Sequence, residues 1–194
     1  MYGYVVLLLD NMHPKLDPQV ITNAFTSDEC DNIISSVESE LELSTSITSD
    51  YTTEKRKSSQ VWIPNNKIFE WIYFKLGSIG YTMNQNFWNL DVRGFEDLQY
   101  TVYNNGDYFD WHIDSDVVDD GMPTRKLGMT LQLTDPSEYE GGNLIINHTE
   151  YFDDFAANKG DLIIFPSWCL HKVTPLTQGV RKAVVAWAVG PDFK

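Results

Sequence analysis

Cysteine, basic charge and long apolar runs are all scarce in this chain of 194 residues. Its two cysteines, Cys30 and Cys169, are too few for a disulfide scaffold and too far apart for a paired zinc motif. A disulfide-stapled secreted fold is excluded, and a reducing compartment is expected. No apolar stretch approaches the roughly eighteen residues of a membrane span, and the run Val5 to Leu9 is only strand-sized. Met1 to Leu9 also lacks a basic leading region and a small-residue cleavage site, so no secretion signal is read there and a cytoplasmic location is expected. The sequon Asn147-His148-Thr149 then carries little weight, because glycosylation requires secretion. No nucleophile elbow, phosphate loop, internal repeat or low-complexity tract occurs.

Lys and Arg number 14 against 28 Asp and Glu, a net charge of -14. The excess is concentrated, since residues 101 to 160 hold 12 acidic and 3 basic residues. Such a field repels phosphate, so neither nucleic acid nor an anionic membrane is expected as a partner. A solvating acidic surface accounts for the charge, and attraction of a basic peptide or protein is the functional alternative.

The length and a hydrophobic content of 42% suit one domain over 1-194. A helical support region is expected over 1-95 and a β core over 96-191. Val20 to Phe25 reads as a short strand, and Thr26-Ser27-Asp28-Glu29 as the capping box of a helix with Cys30, Ile33, Ile34, Val37 and Leu41 on its apolar face. Residues 43 to 60 have neither period and read as a surface loop. A second helix after Pro64-Asn65 places Ile68, Trp71, Ile72, Leu76 and Ile79 together, with Gly77 and Gly80 weakening its end. From residue 87 the texture changes to short β-prone runs: Phe87 to Val92, Leu98 to Tyr103, Tyr108 to Asp114, Lys126 to Leu133, Asn143 to Asn147, Asp161 to Phe165, His171 to Pro175 and Arg181 to Val189. Eight short strands after two helices predict a mainly β (α+β) jelly roll backed by helices.

In Tyr108 to Asp114, alternation puts Tyr108, Asp110, His112 and Asp114 on one face, and Phe109, Trp111 and Ile113 on the other. If the apolar face packs on the helices, the polar one points into the barrel, where a carboxylate and an imidazole need a partner such as a metal. His-x-Asp alone arises often by chance. His171, at the start of a later strand, adds a third ligand, and two His with one carboxylate make the facial triad of non-haem Fe(II) oxygenases. Arg181 heads an otherwise apolar strand, where a guanidinium calls for a carboxylate.

At these residues the chain resembles the Fe(II)- and 2-oxoglutarate-dependent dioxygenases, in the prolyl 4-hydroxylase-like branch with its PKHD-type hydroxylases. The resemblance runs from about Leu98 to Pro191. It rests on Leu98 to Tyr103 with Gly106, His112-x-Asp114, Arg125-Lys126-Leu127, Tyr139-Glu140-Gly141-Gly142-Asn143-Leu144, Gly160-Asp161, Phe165-Pro166-Ser167-Trp168, His171-x-Val173-x-Pro175, and Gly179-Val180-Arg181 with Trp187. It implies a double-stranded β-helix in which His112, Asp114 and His171 hold Fe(II), 2-oxoglutarate chelates the iron, and Arg181 pairs with the distal carboxylate. Tyr103 stands near the family's cosubstrate tyrosine, Trp187 could wall the cosubstrate pocket, and Gln132, alternating with Thr130, is a further candidate contact. O2 is the second cosubstrate, ascorbate a candidate accessory, and succinate and CO2 the implied coproducts. Collagen-type prolyl hydroxylases have Lys where Arg181 stands, which places this chain with the Arg-bearing branch.

The expected reaction is hydroxylation of an unactivated C–H bond, of a prolyl residue in a peptide or protein. Hydroxylation of a free amino acid or small metabolite, and a jelly-roll binding module without turnover, are the alternatives. Trp111 and Trp168 flank the ligands in sequence and could offer flat apolar surface to a proline ring, although alternation sets Trp111 opposite His112. Residues 43 to 60 and 115 to 125 are candidate lids. His13 and His148 read as surface residues, Cys169 as packing, and Asp116, Asp119 and Asp120 lack the spacing of a calcium loop.

Overall fold

Thr26 opens the first helix by chemistry already visible in the sequence. Its hydroxyl accepts from the Glu29 amide at 3.2 Å, and the Glu29 carboxylate accepts from the Thr26 amide at 2.7 Å, completing the capping box of α1 (Ser27–Glu40). Cys30, Ile33 and Val37 form its buried side. Helix α2 (Glu70–Met83) buries Ile72, Leu76, Ile79, Gly80 and Met83. Ile68, expected on its apolar face, precedes the helix and is exposed. There the Asn66 carboxamide oxygen accepts from the Ile68 and Phe69 amides and turns the chain before the helix begins. Gly80 marks the close approach of α2 to the sheet: a Cβ at that position would stand 2.8 Å from Met129 Sδ.

The structure is a computed structural model and describes residues 17–41, 44–46, 54–115, 123–148, 151–155 and 157–193. The expectations for Met1 to Leu9, for His13, and for Asp116, Asp119 and Asp120 with most of the proposed 115 to 125 lid lie outside these residues. The described strands are β1 (Gln19–Ile21), β2 (Ser44–Ser46), β3 (Arg56–Ile63), β4 (Gly94–Phe95), β5 (Leu98–Tyr103), β6 (Tyr108–His112), β7 (Thr124–Gln132), β8 (Tyr139–Gly141), β9 (Leu144–His148), β10 (Tyr151–Phe155), β11 (Leu162–Pro166), β12 (Leu170–Val173), β13 (Leu176–Gly179) and β14 (Arg181–Gly190). All but β8 and β13, which pair with each other, join one antiparallel sheet in the order β1-β11-β7-β14-β5-β3-β6-β12-β9-β10, with β2 on β3 and β4 on β14. The sheet curls at β3, whose Ser59–Ile63 end pairs with β5 while Arg56 and Lys57 pair with β6. The result is the expected jelly roll, mainly β and backed by two helices.

Strict alternation divides the core in two. Leu98, Tyr100 and Val102 of β5, Leu127, Met129 and Leu131 of β7, and Val184, Ala186 and Ala188 of β14 pack outward against α1 and α2. Their neighbours face the inside of the roll, where Tyr103, Ile146, Ile163, Phe165 and Val173 form a second cluster.

Two expectations are corrected here. Residues 43 to 60 are not one loop: β3 runs through Arg56–Ile63, hidden from a pattern search because its cavity-facing side is polar, so apolar alternation never shows. The region before residue 96 thus contributes strands as well as helices. Phe87 to Val92 is not a strand: Asn84–Trp88 form a π-helical turn. The Asn84 side chain bonds both the amide and the carbonyl of Leu90, at 3.0 and 2.9 Å, and Asn89 takes a left-handed φ of 51°, so the chain is turned rather than extended. Strands β8, β10 and β13 went without a sequence signal, being short and rich in polar residues.

Replacing Thr26 by Ala should lower the unfolding free energy by about 1 kcal/mol, the usual cost of a lost N-cap, with the β-sheet circular dichroism unchanged. Urea denaturation of the two proteins measures it. No change would mean that packing of Ile33 and Val37, not the cap, fixes the start of α1.

Candidate active site

Strands β6 and β12 lie side by side and pair His112 with His171. Asp114 follows just past the end of β6, where its amide donates to the Ser167 carbonyl at 2.9 Å. Ser167 is fully buried, and its own hydroxyl donates to the Arg125 carbonyl at 2.6 Å, so the Asp114 backbone is tied to β7 through a fixed intermediary. Ligand-type atoms of His112, Asp114 and His171 all lie within 4.8 Å of one another. His112 Nε2 is 3.8 Å from Asp114 Oδ1, and His171 Nε2 is 3.6 Å from Asp114 Oδ2.

Hydrogen bonding sets the state of both rings. His112 Nδ1 lies 2.8 Å from the Asp110 carbonyl, and His171 Nδ1 lies 2.9 Å from the Cys169 carbonyl. A carbonyl only accepts, so each Nδ1 donates to it and each Nε2 faces Asp114. Burial, and after it the neighbouring His171, pull the pKa of His112 down to about 4 against the opposing pull of Asp114, which keeps the ring neutral at pH 7. Two imidazoles and one carboxylate are the donor set of a divalent transition metal with open positions, and the residues present fit Fe(II). Gly128 makes room for it on β7: a Cβ there would stand 3.0 Å from Asp114 Oδ2 and 3.1 Å from the Phe165 ring.

The triad lies at one end of a cavity with about 500 Å³ of empty space, counting its open mouth. Arg181, Tyr103 and Trp187 line it. Arg181 is 4% exposed, and no carboxylate among the described residues pairs with it; its guanidinium carbon lies 5.6 Å from the centre of the Tyr103 ring, its cross-strand neighbour. Trp187 Nε1 is buried without a hydrogen-bond partner, while its ring is covered by the Arg125 guanidinium at 3.8 Å, itself held by Glu96 at 2.8 and 2.6 Å. A buried guanidinium and an indole N–H, both without a partner among the described residues, beside a metal-type donor set fit a small dicarboxylate.

Other candidates fall elsewhere. Gln132 does not line the cavity: it is buried at the end of β7, where its amide donates to the Thr134 carbonyl and the Tyr139 hydroxyl. Trp168 packs edge-on against Phe193, and Trp111 lies under the Lys172 ammonium; neither lines the cavity. The alternation expected along β6 also fails. Between His112↔His171 and Phe109↔Val173 the register shifts by a bulge, so Phe109 and His112 share a side and stack at 3.5 Å. Asp110 is turned to solvent, and Ile113 is exposed rather than packed on a helix.

One residue that pattern reasoning missed stands in the cavity. Arg56 of β3 donates to Ser58 Oγ at 2.8 Å and Gln99 Oε1 at 3.0 Å, and its guanidinium lies 4.6 Å over the Phe109 ring. Burial lowers its pKa from the ordinary arginine value. Those two bonds use two of five N–H donors, leaving others for a bound molecule. The only signal was the spacing Arg56, Ser58, Gln60, Trp62, which becomes a strand face once β3 is paired.

The sequence profile of the 2OG-Fe(II) oxygenase superfamily matches residues 98–189, from β5 to β14. Over that segment, a little under half of the chain, the sequence is similar to this superfamily. Among curated relatives, the PKHD-type hydroxylase PiuC of Pseudomonas aeruginosa is 37% identical over 121 residues, covering 56% of this chain and 53% of that protein. A PKHD-type hydroxylase of Shewanella sp. (strain MR-7) is 39% identical over 87 residues, covering 44% and 39%. The chain thus spans about half the length, or less, of these relatives. A Pseudomonas putida prolyl-4-hydroxylase has the same fold, with a TM-score of 0.74 at 18% identity over 90% of this chain and 94% of that one. So does a viral collagen prolyl hydroxylase from Paramecium Bursaria Chlorella virus-1, at 0.67 and 21% over 89% and 96%.

Fe(II) binding, followed by anaerobic calorimetry, should vanish in His112→Ala, Asp114→Ala and His171→Ala. Gly128→Ala should weaken it by about tenfold, the scale of a disturbed supporting position, by pressing on the Asp114 carboxylate. Undiminished binding in any ligand variant would remove that residue from the site.

Proposed function

We propose that this chain is an Fe(II)- and 2-oxoglutarate-dependent hydroxylase that acts on a prolyl residue of a peptide or protein. The observation that carries the reading is the two-His, one-Asp cluster sharing a cavity with a buried arginine that no carboxylate among the described residues pairs with. Fe(II) with bound 2-oxoglutarate supplies oxidation by O2, one oxygen atom entering the substrate C–H bond and the other entering succinate as CO2 is released. His112, Asp114 and His171 would hold the metal. Arg181 takes the distal carboxylate, with Tyr103 and Trp187 closing that end of the cavity against water. Ascorbate is proposed as an accessory reductant on the resemblance to prolyl hydroxylases.

Arg56 supports a peptide substrate. A prolyl nitrogen inside a peptide has no N–H, so the residue offers only carbonyl acceptors, and the spare Arg56 donors suit them. The same donors would also accept a free carboxylate, which is the specific ground for the second reading, a free amino acid as substrate. Basic residues of a peptide would have to lie outside the cavity, where the -14 charge attracts them and repels nucleic acid and anionic membrane. A cytoplasmic setting suits Cys30 and Cys169, neither of which enters a disulfide. Among the described residues no helix is long and apolar enough to cross a membrane.

Arg181→Ala should raise the 2-oxoglutarate requirement for succinate release by about one to two decades, the scale of a lost charge-assisted bond, with Fe(II) affinity unchanged. Equal weakening of both would indicate a damaged fold instead. Among proline peptides assayed by mass shift, those with flanking Lys or Arg should turn over faster than acidic ones at low salt, the gap closing as salt screens charge beyond about 8 to 10 Å. Turnover of free amino acids alone would replace the peptide reading by the second one.

A further inference from the structure

We propose that a groove on the helix side of the molecule, separate from the metal cavity, docks a Lys- or Arg-bearing segment of a partner polypeptide. Trp71, Tyr73 and Phe74 of α2 and Phe95 of β4 give it an aromatic wall, and Glu70 and Asp97 give it two carboxylates. With its open mouth the groove has about 1170 Å³ of empty space, enough for a few side chains. Phe74 is 78% exposed, more than any other large hydrophobic residue among the described ones, and Tyr81, one heptad on, is exposed too. An aromatic surface left this open on a helix whose other side is core calls for a covering partner.

Charge identifies the partner. Two carboxylates of α1 are matched by cations: Glu29 meets Lys75 at 2.6 Å and Glu38 meets Lys182 at 2.7 Å. In the groove no Lys or Arg among the described residues pairs with Glu70 or Asp97, and Asp97 receives only a 3.3 Å bond from the Tyr73 hydroxyl, which is itself engaged with the Ile63 carbonyl. Glu70 in the first turn of α2 also complements the helix dipole, but Asp97, outside the helix, gains nothing from it. A cation held over aromatic faces beside two carboxylates satisfies both features, with Arg the better fit because it stacks and forks. A second copy of this chain fits poorly: a two-fold contact would set Glu70 and Asp97 against their own duplicates on a body of charge -14. The two concave surfaces therefore carry opposite signs, cationic in the metal cavity through Arg56 and Arg181 and anionic in the groove. The proposal does not rest on the catalytic reading.

The test uses the full chain without metal and two capped probes, acetyl-Arg-Leu-Arg-amide and acetyl-Glu-Leu-Glu-amide, titrated by calorimetry and tryptophan fluorescence at low salt. The cationic probe should bind and the acidic one should not. Phe74→Ser and Glu70→Gln, both at exposed positions, should each weaken the cationic probe at least fivefold while circular dichroism and Fe(II) binding stay unchanged. Three results would overturn the proposal: no difference between the probes, cationic binding unaffected by either variant, or a dimer in sedimentation that Phe74→Ser dissociates, which would make the occupant a second copy.

Discussion

A carboxylate held between two imidazoles and largely shielded from water calls for a cation, and the sheet core is arranged around that requirement. Every support of the cluster removes a freedom that would let it collapse without one. The Asp110 and Cys169 carbonyls accept from the two Nδ1 atoms and so turn both Nε2 atoms to the centre. Ser167 fixes the Asp114 backbone where β6 has already ended, and Gly128 leaves the carboxylate its space. The cost of keeping these polar groups from water is met only when their lone pairs converge on a metal, which is why so many neighbours serve three side chains.

The curl of the sheet gives the cluster its surroundings. Because β3 pairs with β5 at one end and β6 at the other, it carries Arg56 from the helix-backed sheet to the edge of the metal-bearing one. The bulge in β6 then turns Phe109 to the same side as His112 and makes a stack of guanidinium, phenyl ring and imidazole. With Arg181 on β14, the cavity gains two cations in a protein that is otherwise strongly acidic. Such a cavity suits an anionic ligand.

Much of this was legible in the residues. The capping box of α1, the β5 and β14 strands, and the order of His112, Asp114, His171 and Arg181 could be read because each rests on local chemistry or on a motif of fixed spacing. The loop assigned to residues 43 to 60 failed because β3 is polar on one side, and its stability comes from partners some forty residues later. The strand assigned to Phe87 to Val92 failed because one side chain, Asn84, captures the backbone of Leu90. Gln132 was placed at the site by alternation and Trp111 by standing next to His112 in sequence; hydrogen bonds to Thr134 and Tyr139 hold the first away, and the second lies under Lys172.

By itself the sequence determined the donor types, their order along the chain, the helix caps and the strands whose apolar residues alternate, since these depend on contacts within a few residues or on residue chemistry. Tertiary structure alone decided that Arg56 enters the cavity, that Phe109 stacks on His112, that Arg181 meets no carboxylate among the described residues, and that Glu70 and Asp97 share an aromatic groove. Those facts depend on pairings between distant segments and on one inserted residue in a strand, and a one-residue shift reverses which face a side chain occupies without changing the pattern that precedes it.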